Sequence, residues 1–110
     1  MENTQLYKFL RAIGYIICQL AESRGFNIRT TIVIDPFYIR YNGLRMAITE
    51  VTYYSGDDSV PTLILKSAGA KVNAEDVSMK TLVRLREELT KKLKSPTLKR
   101  RKEMIAYIDT

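Results

Sequence analysis

The chain has 110 residues, 45% hydrophobic and 27% charged, with a net charge of +6, one cysteine and no histidine. This composition predicts a single globular domain over residues 1–110 and excludes a disordered or low-complexity chain. Lack of histidine removes the commonest general base and metal ligand, and one cysteine cannot form an intramolecular disulfide. We therefore expect a non-enzymatic protein of a reducing compartment, the cytoplasm, with no cofactor and no metal site.

Residues 4–24 are predicted to form an amphipathic helix. Its apolar side chains follow the i, i+3, i+4, i+7 spacing of one helical face: Leu6, Phe9, Leu10, Ile13, Ile16, Ile17 and Leu20. Gly14 lies just beyond this face, where the absence of a side chain lets a strand or helix approach closely. Cys18 is nearby, and we expect a half-buried hydrophobic residue there, not a nucleophile. No apolar run here or elsewhere reaches the roughly 20 residues that span a bilayer, so no membrane contact is expected.

Residues 26–34 are predicted to form a strand, which Asp35-Pro36 interrupts because proline donates no backbone hydrogen bond. A hairpin follows, since Asn42-Gly43 favours a type I′ turn. Pairing the residues on either side of this turn gives a register that places six apolar residues on one side: Phe37, Ile39, Tyr41, Leu44, Met46 and Ile48. The agreement of turn chemistry with apolar pattern makes this the strongest local prediction.

The other side of the hairpin carries Tyr38, Arg40, Arg45 and Ala47, and the same register places Arg40 directly opposite Arg45. Like charges in this position are mildly unfavourable unless an anion lies near them. Tyrosine beside arginine on an open sheet face also resembles a stacking surface for single-stranded nucleic acid. An ordinary solvated surface is the alternative interpretation.

The second hairpin arm continues to Tyr54. Its apolar residues occupy even-numbered positions up to Ile48 and odd-numbered positions from Val51, so the side of the strand that is apolar changes between these two residues. A bulge or a two-sided environment explains this change. Residues 55–59 are predicted to form a turn, residues 62–65 a further strand, and residues 67–70 a loop of small residues that is the best internal linker candidate.

Residues 78–94 form the second predicted helix, with Ser78 as its N-cap. Arg86 falls within the apolar stripe of this helix, and we expect its guanidinium group to extend to water. Residues 96–108 are predicted to form a short helix, with an edge strand as the alternative. Together these elements predict an α+β fold: an N-terminal amphipathic helix, an antiparallel meander of three to four strands, and a C-terminal helix or helix pair on one face of the sheet. In an alternative architecture, the first helix pairs with that of a second copy in a homodimer.

The positive charge is concentrated in residues 91–102, which hold seven basic residues and no acidic one: Lys91, Lys92, Lys94, Lys99, Arg100, Arg101 and Lys102. The remaining 98 residues have 11 basic and 12 acidic side chains, a net charge of −1. Such a block is typical of contact with nucleic acid or an acidic protein. The sequence therefore predicts a small binding module that uses this segment, with Tyr38, Arg40 and Arg45 extending the surface. The alternative is an assembly, inhibitor or regulatory protein that acts as a homo-oligomer or by binding another protein.

Overall fold

The computed structural model describes residues 4–22, 29–55 and 60–94. Its elements, in chain order, are helix α1 (Thr4–Leu20), strands β1 (Thr30–Tyr41), β2 (Leu44–Tyr54), β3 (Thr62–Ser67) and β4 (Ala70–Asn73), a 3₁₀ turn (Ala74–Asp76) and helix α2 (Met79–Leu93). The strands form one antiparallel sheet in the order β1-β2-β3-β4. The predicted α+β fold is confirmed, and residues 96–108 lie outside the described ranges.

The β1–β2 hairpin has the predicted register. Tyr41 pairs with Leu44, and Arg40 lies opposite Arg45. Asn42 and Gly43 both have positive φ angles, 51° and 78°, as a type I′ turn requires. Local turn chemistry therefore determines which hairpin side chains face the core.

Strand β1 continues through Asp35-Pro36, so the predicted end of the strand at residue 34 is wrong, but its pairing with β2 is interrupted there as predicted. The pairing of β1 with β2 breaks at this bulge, between Val33 and Phe37, and resumes with its register shifted by two residues. An irregular step lets the strand pass a proline, which cannot complete the regular ladder. The buried positions on β2 change parity opposite this irregular step, between Ile48 and Val51.

Residues 67–70 do not form a linker, which corrects the prediction. Ala68 and Gly69 make a tight turn, with Gly69 at a φ of 79°, and β4 pairs back onto β3. The strand was missed because it has four residues, two of them polar, and only Val72 among them is buried.

Both helices lie over the same face of the sheet. Their apolar stripes and the inward side chains of the strands form one buried cluster, whose largest fully buried members are Leu10, Ile13, Ile17, Ile48, Val51, Leu63, Leu65, Leu82, Leu85 and Leu89. Ser78 caps α2 as predicted, because its hydroxyl accepts a hydrogen bond from the Thr81 amide at 3.2 Å. None of the helices in the described ranges is long and apolar enough to cross a bilayer.

Gly14 is where α1 comes closest to the sheet. A Cβ atom at this position would overlap the ring of Tyr53 on β2, so the close approach of a strand predicted for this glycine is confirmed. Burial raises the pKa of Tyr53 above its usual 10.0, although a hydrogen bond with Ser55 opposes the shift. Cys18 is only 4% exposed, and is therefore buried instead of half-buried as predicted.

Candidate functional site

Within the described ranges, α1 and α2 both pack on the first face of the sheet, and no described element covers the second face. It has two parts, which the bulge in β1 separates. The distal part is the two-stranded end of the β1–β2 hairpin and carries Tyr38, Arg40, Arg45 and Ala47 as its outward side chains. The proximal part spans all four strands and forms a shallow concavity of about 770 Å³. We call the two parts together the open face.

Two arginines and a tyrosine lie together on the distal part. Arg40 and Arg45 are cross-strand partners, and the guanidinium of Arg45 lies over the Tyr38 ring, 4.2 Å from its centroid. Tyr38 remains 46% exposed, so the stack is open to solvent. Because the outward residues here include no carboxylate, the two guanidinium groups repel each other without a local counter-charge. The sequence predicted this arrangement, since the hairpin register follows from the turn.

A third arginine reaches the same part of β1 from α2. Arg84 donates a hydrogen bond from Nη2 to the carbonyl oxygen of Tyr38 at 3.2 Å, and its guanidinium lies 4.8 Å from the centroid of the Phe37 ring. β1 is an edge strand, and the side chain satisfies a backbone acceptor that no strand pairs with on that side. Sequence reasoning missed Arg84 because the contact joins residues 46 positions apart.

The proximal part repeats the stacking of arginine on tyrosine. Arg29 lies over the ring of Tyr54, 5.9 Å from its centroid, and Tyr54 is 38% exposed. A salt bridge of 3.3 Å joins Lys66 on β3 to Glu50 on β2. The sequence signal for this site was the alternation of the adjacent residues Tyr53 and Tyr54, of which the first is buried and the second exposed.

The described lysines of the basic segment lie at the end of α2. Lys91 and Lys92 line a cleft of about 410 Å³ between α2 and the β1 bulge, which Asp35 and Glu88 also line. Lys91 lies 3.7 Å from Glu88, and Lys94 follows the helix as its exposed C-cap. The carboxylates dilute the positive charge of this cleft. Lys99, Arg100, Arg101 and Lys102 lie outside the described residues, so the role of that half of the segment stays a prediction.

The two predicted groups of cations lie on different sides of β1. Helix α2 lies antiparallel to β1. Arg84, early in the helix, contacts Tyr38, and Lys91 and Lys92, near its end, lie beside the bulge that precedes Tyr38 in the strand. The lysines therefore flank the covered side of β1, and Arg40 and Arg45 lie on its open side. Arg84, at the edge between them, connects the two groups.

No metal-binding cluster is apparent in the described ranges. No three histidine, cysteine, aspartate or glutamate side chains there are grouped so that they could hold a metal ion. The Cys18 thiol lies inside the core, 3.9 Å from the Thr30 hydroxyl. Scans against models of known families, curated proteins and solved structures gave no match to this chain.

Proposed function

We propose that the protein is a non-enzymatic module that binds single-stranded nucleic acid on the open face of its sheet. The observation that carries the proposal is the exposed stack of Arg45 on Tyr38, beside the cross-strand pair of Arg45 with Arg40. A polyanion with unpaired bases complements both features of this cluster.

The electrostatic step concerns the two adjacent guanidinium groups. Arg40 and Arg45 lie on neighbouring strands with no carboxylate among the outward residues beside them. A phosphate between them would turn a repulsive pair into two charge-assisted hydrogen bonds, and arginine is well suited to bidentate phosphate contacts. The bound anion would therefore remove an unfavourable interaction of the free protein as well as form new contacts.

The stacking step favours single strands over duplex. Tyr38 and Tyr54 each present a partly exposed ring beside an arginine on the open face. Unpaired bases stack on aromatic rings or guanidinium planes, and each stack stabilises a complex by about 1–3 kcal/mol. Bases inside a duplex are not available for such contacts, so we expect weaker binding to double-stranded oligonucleotides.

The lysines at the end of α2 flank the covered side of β1, and we infer that they contact phosphates of a bound strand that continues from the open face past the edge of β1. Lys92 and Lys94 are exposed at the end of α2, while Lys91 has Glu88 as a close partner. Contacts of lysine with phosphate position a strand without reading its sequence. We therefore assign these lysines an additive role in affinity and the open face the preference for single strands.

The experiment is a fluorescence-anisotropy titration of labelled single- and double-stranded oligonucleotides over a series of salt concentrations. Changing Lys92 and Lys94 to glutamine should lower the slope of log K against log salt for single strands by about 1–1.5, since each lost phosphate contact contributes about 0.7. A matched control changes Lys8 and Arg11 on α1, which removes the same charge from another surface. No binding at low salt, or equal changes in slope for the two variants, would contradict the proposal.

An acidic protein surface is the second candidate partner, because arginines that bind phosphate also bind carboxylates. The exposed apolar side chain of Leu44 at the hairpin tip favours a protein contact in addition. The same titration separates the two candidates. A protein that ignores every oligonucleotide but binds an acidic polypeptide would support the second.

A further inference from the structure

A second pair of like charges lies on the open face, on the β3–β4 hairpin. Lys66 of β3 and Lys71 of β4 are cross-strand partners, and both line the concavity of the proximal part. The next pair along this ladder, Leu65 with Val72, is buried in the core, so the two lysines point to the opposite side of the sheet. Like charges directly opposite each other are unfavourable here, as they are for the two arginines of the distal part. The open face therefore has one pair of cations on each hairpin.

A carboxylate neutralises only one of the two lysines. Glu50 lies 3.3 Å from the ammonium group of Lys66, whereas Lys71 is on β4, at the edge of the described sheet, with Lys66 as its cross-strand partner. The charged residues that line the concavity are three cations and two carboxylates, a net charge of +1: Arg29, Lys66, Lys71, Glu50 and Asp76. The Lys66 side chain is 50% exposed, and an ion pair this accessible to water is weak. A phosphate can therefore replace Glu50 as the partner of Lys66.

The strand register gives the distance between the two pairs of cations. Arg45 lies five residues before Glu50 on β2, and Glu50 is the cross-strand partner of Lys66. At about 3.3 Å per residue along a strand and about 4.8 Å between strands, the pairs are about 17 Å apart along the sheet and about 10 Å across it. A stacked nucleic-acid strand rises about 3.4 Å per nucleotide, so about six nucleotides cover the distance.

We propose that Lys66 and Lys71 form a second phosphate site, and that one single strand occupies this site and the pair of Arg40 with Arg45 together. The proposal rests on the proposed function, because the arginines are the first anchor of the strand. A phosphate between the lysines would replace their repulsion by two charge-assisted contacts. With two anchors on one strand, the second contact is intramolecular, so affinity rises steeply once the strand is long enough to reach both.

A length series of single-stranded thymidine oligonucleotides tests whether one strand reaches both pairs. A strand of three nucleotides is too short to do so, and one of ten is long enough. We expect Lys71→Gln to reduce the gain in affinity between these two lengths by about fivefold, because it removes one charged contact that only the longer strand makes in addition to the arginines. The control is Lys80→Gln, an exposed position on α2 that has the same charge, and it should leave this gain unchanged.

Glu50→Gln tests the lysine site in the opposite direction. Loss of the carboxylate leaves Lys66 free to bind phosphate, so affinity for the ten-nucleotide strand should increase about threefold. The denaturant midpoint of the free protein should fall slightly, because the ion pair with Lys66 is lost. Glu87→Gln, at an exposed position of α2, changes the net charge equally and should alter affinity less.

The outcomes separate this proposal from the proposed function. A normal length dependence in Lys71→Gln, or equal affinities for Glu50→Gln and Glu87→Gln, would overturn the lysine site alone if Arg40→Gln still weakened binding. Failure of the wild type to bind any of the oligonucleotides at low salt would overturn both proposals.

Discussion

Gly14→Ala is expected to lower the free energy of unfolding by about 1–3 kcal/mol. Alanine is normally the better residue within a helix, by about 1 kcal/mol, so the sign of this prediction opposes helix propensity. The reason is steric: the added methyl group would overlap the buried ring of Tyr53, and the close-packed sheet beneath limits how far that ring moves. Denaturant unfolding measures the change.

A double-mutant cycle separates the steric cause from other effects. In a Tyr53→Leu background, the ring is absent, and Gly14→Ala should become neutral or stabilising by up to about 1 kcal/mol. Gln19→Ala, at an exposed position of the same helix, is the control and should change stability little. A Gly14→Ala protein at least as stable as the wild type would show that α1 does not lie against Tyr53 in this way.

Arg40→Gln is expected to weaken binding to a single-stranded oligonucleotide by about tenfold, because a charged hydrogen bond to phosphate contributes about 1.5 kcal/mol or more. The same change should leave the stability of the free protein unaltered or raise it by a few tenths of a kcal/mol, since it removes a like-charged cross-strand neighbour of Arg45. Loss of affinity without loss of stability is typical of a binding residue. Anisotropy and denaturant unfolding of the same preparation measure both quantities.

Arg86→Gln is the matched control for this prediction. Arg86 is also exposed and also lies over an aromatic ring, that of Phe9, 5.2 Å from its centroid, but it is on the helical layer. We expect its replacement to change affinity much less than Arg40→Gln does. An equal loss of affinity in both variants would mean that net charge, and not the open face, determines binding.

Local signals were sufficient to predict most of the fold. The Asn42-Gly43 turn determined the hairpin register and hence the side of the sheet on which Arg40 and Arg45 lie. The apolar spacing of α1 and the Ser78 cap of α2 depend on residues within one or two helical turns, and the structure has both. Gly14 pointed to a close contact, although its partner, Tyr53, could not be identified from sequence.

Features that depend on residues far apart in the chain were not predictable. β4 is a strand because β3 offers it an edge, and its own four residues give little signal. The bond from Arg84 to the Tyr38 carbonyl exists because α2 lies along an edge strand. The Arg29–Tyr54 stack was not predictable because the buried positions of β2 change parity between Ile48 and Val51. The site was therefore predictable on the hairpin and not beyond it.

The central claim is that nucleic acid binds the open face of the sheet, and an NMR titration of the ¹⁵N-labelled protein with a short single-stranded oligonucleotide tests it most directly. We expect the largest amide shifts at Tyr38, Arg40 and Arg45, with smaller shifts near Tyr54 and none at Tyr15 on the outer side of α1. Shifts confined to α1, or no shifts on the hairpin at saturating oligonucleotide, would contradict the account.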